Sequence, residues 1–268
     1  KTGNLENNLF SIDNLPLVDS FCKSFTLAKS VNTSKVTVRS CSNCKTLQID
    51  NPVKPEILYE NYIYESSTSP DLESHFEEYA NDIKARVSNN STRVMEIGIN
   101  DGLLALKLIN KGFKNITGVD PSPQAGKINN KYINVYNSFF GSKDTNLALE
   151  GNKYEIIIAN NVLSHIPEMQ NILENVKEYL SENGTFIFEV QSVRHLLENH
   201  VFDYIYHEHI FYHSIISLQK LLDYAGLEIN DVSIHGVKGG SYRIFASHKG
   251  KNIVKAIVQK ELSKEILF

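Results

Sequence analysis

The chain has 268 residues, of which 41% are hydrophobic and 22% charged, so it can form one substantial core with a small additional domain. Its net charge of -4, without runs of Lys or Arg, argues against a nucleic-acid partner, and no stretch reaches the about 18 apolar residues of a membrane span. Three cysteines are too few for a disulfide framework and no signal peptide is visible, so we expect a cytoplasmic protein without a membrane partner.

The first 60 residues contain turn residues and short β-type runs, which predict a small β-rich domain with all three cysteines. Cys41 and Cys44 have the spacing of metal ligands, but two thiolates do not complete a tetrahedral zinc site. Cys22 is either a third ligand or a bystander. Because the chain starts with Lys1 and stops at Phe268 inside a helical pattern, we expect that it is cut at both ends.

A helix is predicted to begin after Ser69, which is a suitable N-cap, with Pro70 in the first turn and Asp71 favoured by the helix dipole. From residue 92 onward strands and helices alternate, which predicts an α/β fold with a largely parallel sheet. The elements expected after the opening unit are strands at 132–140, 154–160 and 185–191, helices at 169–180, 217–226 and 253–267, and an antiparallel hairpin of 227–235 with 241–248.

The segment from Val94 to Ser122 predicts a buried strand, a glycine-containing turn, a helix and a second strand that ends at Asp120. Gly98 and Gly102 allow the backbone to approach a ligand closely, and they open a helix whose N-terminal N–H groups favour anions. Asp120 lies where such folds bind a pair of ribose hydroxyls.

This spacing differs from the dinucleotide fingerprint G-x-G-x-x-G, because Asn100 and Asp101 occupy the positions between the two glycines. It resembles instead the S-adenosylmethionine (SAM) site of class I methyltransferases. The residues that carry this resemblance are Glu96, Gly98, Asn100, Gly102 and Asp120. A Rossmann-like unit that binds another nucleotide, or none, is the alternative interpretation.

Four further polar segments lie at predicted strand ends or in loops, at 62–69, 160–167, 202–212 and 239–243. Together with the SAM motif, in chain order from about residue 5 to about residue 250, they resemble the sugar C-methyltransferases that act on nucleotide-linked 4-keto-deoxysugars. The run Tyr206-His207-Glu208-His209, preceded by F-D-x-I, is specific to that family.

The resemblance implies a zinc-ribbon-like N-terminal domain over 1–60, a class I SAM-dependent methyltransferase domain with a Rossmann-like, seven-stranded sheet over 61–250, and the start of a C-terminal domain over 251–268. It also implies SAM as the cofactor, structural Zn2+ held in part by Cys41 and Cys44, and a nucleotide sugar as the small-molecule partner. Three features depart from the family pattern. One C-x-x-C pair is present where two are usual, Lys238 stands where a histidine usually precedes Gly-Gly-Ser, and most of the C-terminal domain would lie beyond Phe268.

Methyl transfer to carbon requires a carbanion equivalent, which a neighbouring ketone makes accessible once a base removes the acidic α-proton. The enzyme then needs a base of nearly neutral pKa, donors to the enolate oxygen and a cavity that excludes water. Tyr206, His207, Glu208 and His209 supply such groups, and the resemblance places the proton-abstracting base at His209, with Glu208 to orient an imidazole. A solvated polar loop is the alternative. A metal site is less favoured, because His207 and His209 lack the i,i+4 spacing of helical zinc ligands.

The remaining candidate residues are placed by their positions at strand ends and by the resemblance. For the cofactor they are Ser138 and Phe139 at the adenine and Asn160 at the methionine moiety, and for the substrate they are Tyr62, Tyr64, His165, His207, Lys238 and Ser241. His165 is also the second candidate for a catalytic histidine. The alternatives are structural roles: a core histidine for His165, a turn residue for Asn160, and packing aromatics for Tyr62 and Tyr64.

We therefore expect a SAM-dependent methyltransferase, of unspecified oligomeric state, that C-methylates a nucleotide-activated keto-deoxysugar through an enolate formed by a histidine base. One alternative is an O- or N-methyltransferase that acts on a sugar or another small molecule. The other is a SAM-binding module without turnover.

Overall fold

The computed structural model describes residues 5–18, 21–59, 64–87, 89 and 91–267. Within these ranges the chain forms a small antiparallel sheet and a larger, mostly parallel sheet. The strands are β1 (Leu5–Pro16), β2 (Thr33–Cys41), β3 (Leu47–Ile49), β4 (Val94–Ile97), β5 (Ile116–Val119), β6 (Ile133–Tyr136), β7 (Tyr154–Asn160), β8 (Leu180–Gln191), β9 (Phe211–Tyr212), β10 (Leu227–His235) and β11 (Ser241–His248). The α-helices are α1 (Phe25–Ala28), α2 (Pro55–Tyr59), α3 (Pro70–Arg86), α4 (Leu103–Asn110), α5 (Lys143–Leu149), α6 (Met169–Tyr179), α7 (Val193–Glu198), α8 (Ile215–Tyr224) and α9 (Ala256–Leu267). Of the helices in these ranges, none is both long and apolar enough to cross a bilayer.

The larger sheet has the strand order β10-β11-β8-β7-β4-β5-β6. Strands β4 to β8 run parallel, whereas β11 pairs antiparallel with β8, and β10 pairs antiparallel with β11. Every residue of β4 and β5 is buried, as expected of parallel strands that are covered on both faces. The sheet confirms the predicted seven-stranded class I arrangement, including the closing hairpin.

Two of the predicted strands had wrong boundaries. Strand β6 ends at Tyr136 rather than at residue 140, because Asn137 turns back and donates its Nδ2 to the carbonyl oxygens of Asp120 and Ser122, at 2.8 Å each. Strand β8 begins at Leu180, directly after α6, rather than at residue 185. In the second case Leu180 pairs with Tyr154 of β7, so tertiary pairing extends the strand toward α6.

Helix α3 confirms its predicted start, since the Ser69 hydroxyl accepts the Leu72 N–H and Pro70 lies in the first turn. The helix packs against α4, and Glu73 of α3 pairs with Lys107 of α4 at 3.0 Å. This packing fixes the segment before α3 against the glycine turn that follows β4.

The small sheet has the strand order β1-β2-β3-β9, and all of its pairs are antiparallel. Its fourth strand, β9, follows the Y-H-E-H run at 206–209 and pairs with β3 through Leu47 and Gln48. The buried core beneath this sheet consists of Val36, Val38, Ile49, Leu196 and Tyr212. The Y-H-E-H run is therefore anchored to a sheet whose other strands come from the first 60 residues.

The two predicted zinc ligands, Cys41 and Cys44, are buried at the end of β2, and Cys44 Sγ lies 3.1 Å from Thr46 Oγ1. The third cysteine, Cys22, is exposed. Across the described ranges there is no group of three or more His, Cys, Asp or Glu side chains that could hold a metal ion. Two thiolates alone do not fit tetrahedral zinc, so the expected zinc-ribbon character is not supported.

Candidate active site

A cavity of about 620 Å³ lies at the carboxyl ends of β4, β5 and β7, the edge at which open α/β sheets bind ligands. The segment before α3, the loop after β7, the Y-H-E-H run and the turn before β11 also contribute to its walls. The predicted site residues that line it are Tyr64, Gly98, Asn100, Asp120, Phe139, Asn160, His165, Tyr206, Glu208, His209 and Lys238. The fold thus brings most of the predicted cofactor, substrate and catalytic residues into one cavity.

The turn after β4 requires glycine at position 98. Gly98 has a φ of +73°, and a Cβ there would lie 2.2 Å from Val162 Cγ2. Gly102, with a φ of +83°, is the N-cap of α4. Both glycines form the tight turn into a helix that the sequence predicted.

Asp120 connects the ends of β4 and β5. Its Oδ2 accepts the backbone N–H of Asn100 at 2.8 Å, and its Oδ1 accepts the backbone N–H of Ser122 at 2.7 Å. A carboxylate has about four acceptor positions, so these two bonds leave room for ligand hydroxyls. Asp120 is buried and lines the cavity, which is compatible with the predicted ribose contact.

The side chain of Asn100 holds the segment before α3. Its Oδ1 accepts the Ser66 N–H at 3.0 Å, and its Nδ2 donates to the Tyr64 carbonyl at 3.0 Å. The neighbouring Asp101 accepts the Ser67 N–H at 2.8 Å through Oδ2. Asn100, a predicted cofactor residue, thus links the glycine turn to Tyr64, a predicted substrate residue.

Glu96 is buried in β4, and it is not among the described residues that line the cavity. Its Oε2 has no hydrogen-bond partner in the described part of the chain. Burial raises the pKa of this carboxyl well above its usual range, and the carboxylates of Asp120 and Asp101 add to the shift. A buried carboxyl with an oxygen unpartnered within the described ranges costs stability, so Glu96 destabilises the fold next to the glycine turn.

Asn160 ends β7 with both side-chain amide atoms buried and without a hydrogen-bond partner among the residues described. Since buried amides are nearly always hydrogen-bonded, this pair of atoms points to a ligand with both donor and acceptor groups. Phe139 also lines the cavity and is 45% exposed, which leaves its ring accessible to a ligand. The hydroxyl of Ser138 instead bonds to Thr145 of α5, and Ser138 is not among the described residues that line the cavity.

His209 is held in one tautomer by its neighbours. The Tyr204 carbonyl lies 2.8 Å from Nδ1, and because a carbonyl can only accept, Nδ1 carries the hydrogen. The Tyr206 hydroxyl lies 3.1 Å from Nε2 and donates to its lone pair. Burial lowers the pKa of His209 to about 4; the bond to Tyr204 opposes this shift, and the charge of Lys238 adds to it. The imidazole is therefore neutral at neutral pH, with a pKa below the nearly neutral value expected of the base, and its Nε2 lone pair can take a proton once the Tyr206 hydroxyl moves away.

His165 packs edge to face against His209, with 4.9 Å between the ring centroids. Burial lowers the pKa of His165 well below its usual value, and repulsion from a protonated His209 and from Lys238 adds to the shift. Glu208 was expected to orient an imidazole, and its Oε2 lies 3.9 Å from His165 Nδ1. Glu208 therefore lies beside His165, whereas the carbonyl of Tyr204 orients His209.

Two predicted substrate residues face away from the cavity. His207 is buried against the small sheet, where its Nε2 donates to the Ser34 carbonyl at 3.3 Å, so it points away from the neighbouring His209. The hydroxyl of Ser241 donates to the Val237 carbonyl at 3.1 Å and closes the turn before β11. A third predicted substrate residue, Tyr62, lies outside the described residues.

Sequence reasoning missed several residues that line the cavity just after strands. Ser122 follows the end of β5, and Gln191 is the last residue of β8. Asn161 follows β7 with a φ of 52°, and its Oδ1 has no hydrogen-bond partner among the described residues. The rule that located Asp120 and Asn160, that residues after parallel strands meet at the ligand edge, finds these three as well when it is applied to every strand.

The sequence is similar to a protein family and to two curated methyltransferases. The sequence profile of the family described as "Methyltransferase domain" matches residues 72–232, more than half of the chain. The chain is 27% identical to the C-methyltransferase NovU of Streptomyces niveus over 234 residues, which cover 84% of this chain and 56% of NovU. It is 26% identical to the ubiquinone biosynthesis O-methyltransferase of Rickettsia conorii over 123 residues, 43% of this chain and 38% of that protein. The chain thus spans about half the length, or less, of these curated relatives.

Solved structures show the same fold at low sequence identity. A chain of the complex between the Haloferax volcanii Trm112 methyltransferase activator and the putative methyltransferase has a TM-score of 0.53 and 14% identity, covering 67% of this chain and 94% of that chain. The CcbJ methyltransferase from Streptomyces caelestis has a TM-score of 0.51 and 15% identity, covering 72% of this chain and 95% of that one. At this identity both show a likeness of fold alone.

Proposed function

Because this chain belongs to the methyltransferase domain family and has the class I SAM-dependent methyltransferase fold, we propose that it transfers a methyl group from SAM to a carbon atom beside a ketone. One observation carries the proposal. The neutral Nε2 of His209, bonded to Tyr206, belongs to the same cavity as the glycine turn and Asp120. The base and the methyl donor would therefore lie in the same cavity.

SAM fits the polar groups at one end of the cavity. Asp120 would accept hydrogen bonds from the ribose hydroxyls, Phe139 would cover the adenine, and the unpartnered amide of Asn160 would bind the methionine moiety. When bound, SAM supplies an electrophilic methyl group on a sulfonium sulfur. Gly98 keeps the backbone close to this end of the cavity, because any larger residue would meet Val162.

The histidine cluster supports removal of a proton from the carbon beside a ketone. His209 Nε2 would take the α-proton while the C–H electron pair forms a C=C bond and the carbonyl π pair moves onto oxygen. The enolate carbon would then form the new C–C bond as the S–CH3 bond breaks and S-adenosylhomocysteine leaves. Because the Tyr206 hydroxyl donates to the Nε2 lone pair in this structure, it would turn away to free that lone pair and would then accept the hydrogen of the protonated Nε2.

The proposed substrate is a nucleotide-activated keto-deoxysugar. The Y-H-E-H run that resembles the nucleotide-sugar C-methyltransferases supports this choice, because its Tyr206, Glu208 and His209 all line the cavity. The relative NovU is by name a C-methyltransferase, which favours carbon as the acceptor atom. A nucleotide sugar is therefore the small-molecule partner that we propose.

Incubation with [methyl-13C]SAM and a panel of nucleoside-diphosphate 4-keto-deoxysugars tests this function. The 13C chemical shift of the product distinguishes a methyl group on carbon from one on oxygen or nitrogen. We expect the label on the carbon beside the ketone. A product labelled only on oxygen or nitrogen would contradict carbon methylation.

An O-methyltransferase is the second candidate, because part of the chain matches the ubiquinone biosynthesis O-methyltransferase of Rickettsia conorii. His209 Nε2 would then take the proton of a hydroxyl, and no α-proton would be lost. The same labelling experiment separates the two reactions. Binding of SAM without methylation of any sugar in the panel would favour a binding module without turnover.

A further inference from the structure

Lys238 has a strained backbone at the edge of the cavity. It lies in the turn between β10 and β11 with a φ of 55° and a ψ of 37°, in the left-handed region that glycine and asparagine adopt at lower cost. Gly236, Gly239 and Gly240 surround it, so this glycine-rich turn contains one residue with a long cationic side chain. Such strained residues cluster at functional sites, where the surrounding structure holds them.

The side chain of Lys238 reaches across to the segment before α3. Its Nζ donates to the Tyr64 hydroxyl at 3.2 Å and lies 4.9 Å from the centroid of the Tyr64 ring. Among the described residues that line the cavity, Lys238 is the only Lys or Arg, and it forms no salt bridge with a carboxylate of the described ranges. The cavity thus contains a cation whose charge is not neutralised by a direct ion pair within these ranges.

We propose that Lys238 and Tyr64 form an oxyanion site, in which the ammonium and the phenol donate hydrogen bonds to the substrate oxygen that becomes negative as the enolate forms. This inference rests on the proposed function and assigns it two further catalytic residues. Because the phenol accepts a hydrogen bond from an ammonium, its own O–H is polarised and becomes a stronger donor. A cation in a cavity that excludes water also stabilises a developing negative charge far more than it does in bulk solvent.

The position of Lys238 relative to the proposed base fits this role. The ketone oxygen and the α-proton are attached to adjacent carbons of the substrate. The protein base and the oxyanion donors must therefore contact the same short part of the substrate. Lys238 and His209 line the same cavity, and the Lys238 charge is close enough to lower the pKa of both His165 and His209, where burial is the larger cause.

A phosphate of the nucleotide sugar is the other oxyanion that Lys238 could bind. A phosphate is charged before and during the reaction, whereas the enolate oxygen gains its charge only as the proton leaves. Loss of a phosphate contact therefore raises KM and weakens binding of the nucleotide alone. Loss of an enolate contact lowers the rate at saturating substrate.

Deuterium exchange of the α-proton separates these roles. The exchange is followed by NMR in heavy water with a saturating nucleoside-diphosphate 4-keto-deoxysugar and S-adenosylhomocysteine, so that no methyl transfer occurs. Lys238→Asn removes the cation and leaves a residue that tolerates the left-handed backbone. We expect its exchange to be roughly 10²- to 10³-fold slower, the typical effect of losing one oxyanion donor, with unchanged affinity for SAM and for the nucleoside diphosphate alone.

Two further variants complete the experiment. Lys238→Arg keeps the positive charge and should retain more of the exchange than Lys238→Asn. Lys260→Met removes an exposed lysine of α9, far from the residues that line the cavity in sequence, and should exchange at the wild-type rate. If Lys238→Asn does not fold, Tyr64→Phe tests the same site, and we expect it to slow exchange by about tenfold through the loss of one neutral donor.

The outcomes are distinct. Exchange by Lys238→Asn at the wild-type rate overturns the oxyanion site. Slower exchange only below saturation, together with weaker binding of the nucleoside diphosphate, assigns Lys238 to a phosphate and also overturns it. No exchange by the wild-type protein with any sugar of the panel refutes the proposed function itself, and the oxyanion site with it.

Discussion

The carboxylate of Asp120 accepts the backbone N–H of Asn100 at 2.8 Å, so the residue expected to bind the SAM ribose also fixes the turn between β4 and α4. The side chain of Asn100 in turn bonds to Ser66 and Tyr64. The cofactor end and the substrate end of the cavity are thus connected by a short series of hydrogen bonds. Substitutions at Asp120 and at Asn100 should therefore have different effects.

Asp120→Ala should weaken SAM binding by roughly 10- to 100-fold, because hydrogen bonds to charged groups contribute about 1.5–3 kcal/mol. Asp120→Asn keeps one acceptor oxygen for the turn and should have an intermediate effect. Titration calorimetry with SAM measures both affinities, and circular dichroism checks that each variant is folded. An unchanged affinity in the alanine variant would contradict the assignment of the cofactor end.

Asn100→Gly should loosen the segment before α3 and have a smaller effect on SAM binding than Asp120→Ala. Glycine tolerates the φ of 52° at this position, and the backbone N–H that Asp120 accepts remains. The variant loses the bonds to Ser66 and Tyr64, each of which contributes about 0.5–1.5 kcal/mol. Hydrogen exchange followed by mass spectrometry should show faster exchange at 64–68. If protection there is unchanged, the Asn100 side chain is not what holds the segment.

Glu96→Gln should raise the thermal unfolding midpoint at neutral pH. The pKa of Glu96 is raised in the folded protein, first by burial and then by Asp120 and Asp101, whereas in the unfolded chain it is close to the usual value of about 4.3. As the pH rises above the pKa of Glu96 in the unfolded chain, this carboxyl therefore lowers the free energy of unfolding. The loss is about 1.4 kcal/mol per pH unit until the pH reaches the pKa of Glu96 in the folded protein. Glutamine has no such cost, so the gain in midpoint should increase with pH. A gain that does not change with pH would show that Glu96 is ionised in the fold.

The purified protein should contain clearly less than one equivalent of zinc. Cys41 and Cys44 lie close in sequence at the end of β2, but within the described ranges no third ligand joins them. Elemental analysis of the dialysed protein measures the metal content. A full equivalent that is lost in Cys22→Ser would show that Cys22 is a ligand after all.

The sheet and the edge that carries the site could be predicted from the sequence, for a physical reason. Parallel strands covered on both faces are continuous apolar runs, and the helices between them repeat with a different period. The ends of β4, β5 and β7 could therefore be located, and Asp120, Asn160 and His165 could be placed at one edge. Strand β6 was predicted too long, because the side-chain bonds that turn Asn137 back are tertiary contacts.

Side-chain directions within the Y-H-E-H run could not be predicted, because its backbone has no regular period. His207 and His209 would share a face in a strand, but 206–208 is a bend and turn, and His207 faces Ser34 of β2 while His209 lines the cavity. Similarly, the contact between Glu208 and His165 joins segments that are far apart in sequence. The sequence pattern predicted which residue types the run contains. Which of these side chains face the cavity and which face the small sheet is determined by tertiary packing.

The central claim, that His209 removes an α-proton, is tested most directly by deuterium exchange in two variants of neighbouring histidines. Wild type, His209→Gln and His207→Gln are each incubated in heavy water with S-adenosylhomocysteine and a nucleoside-diphosphate 4-keto-deoxysugar that the wild type accepts. Because general-base catalysis contributes about 10²- to 10⁴-fold, we predict that His209→Gln slows exchange by that factor while His207→Gln, whose side chain faces the small sheet, stays close to wild type. Exchange by His209→Gln at the wild-type rate would contradict the account and make His165 the next base to test.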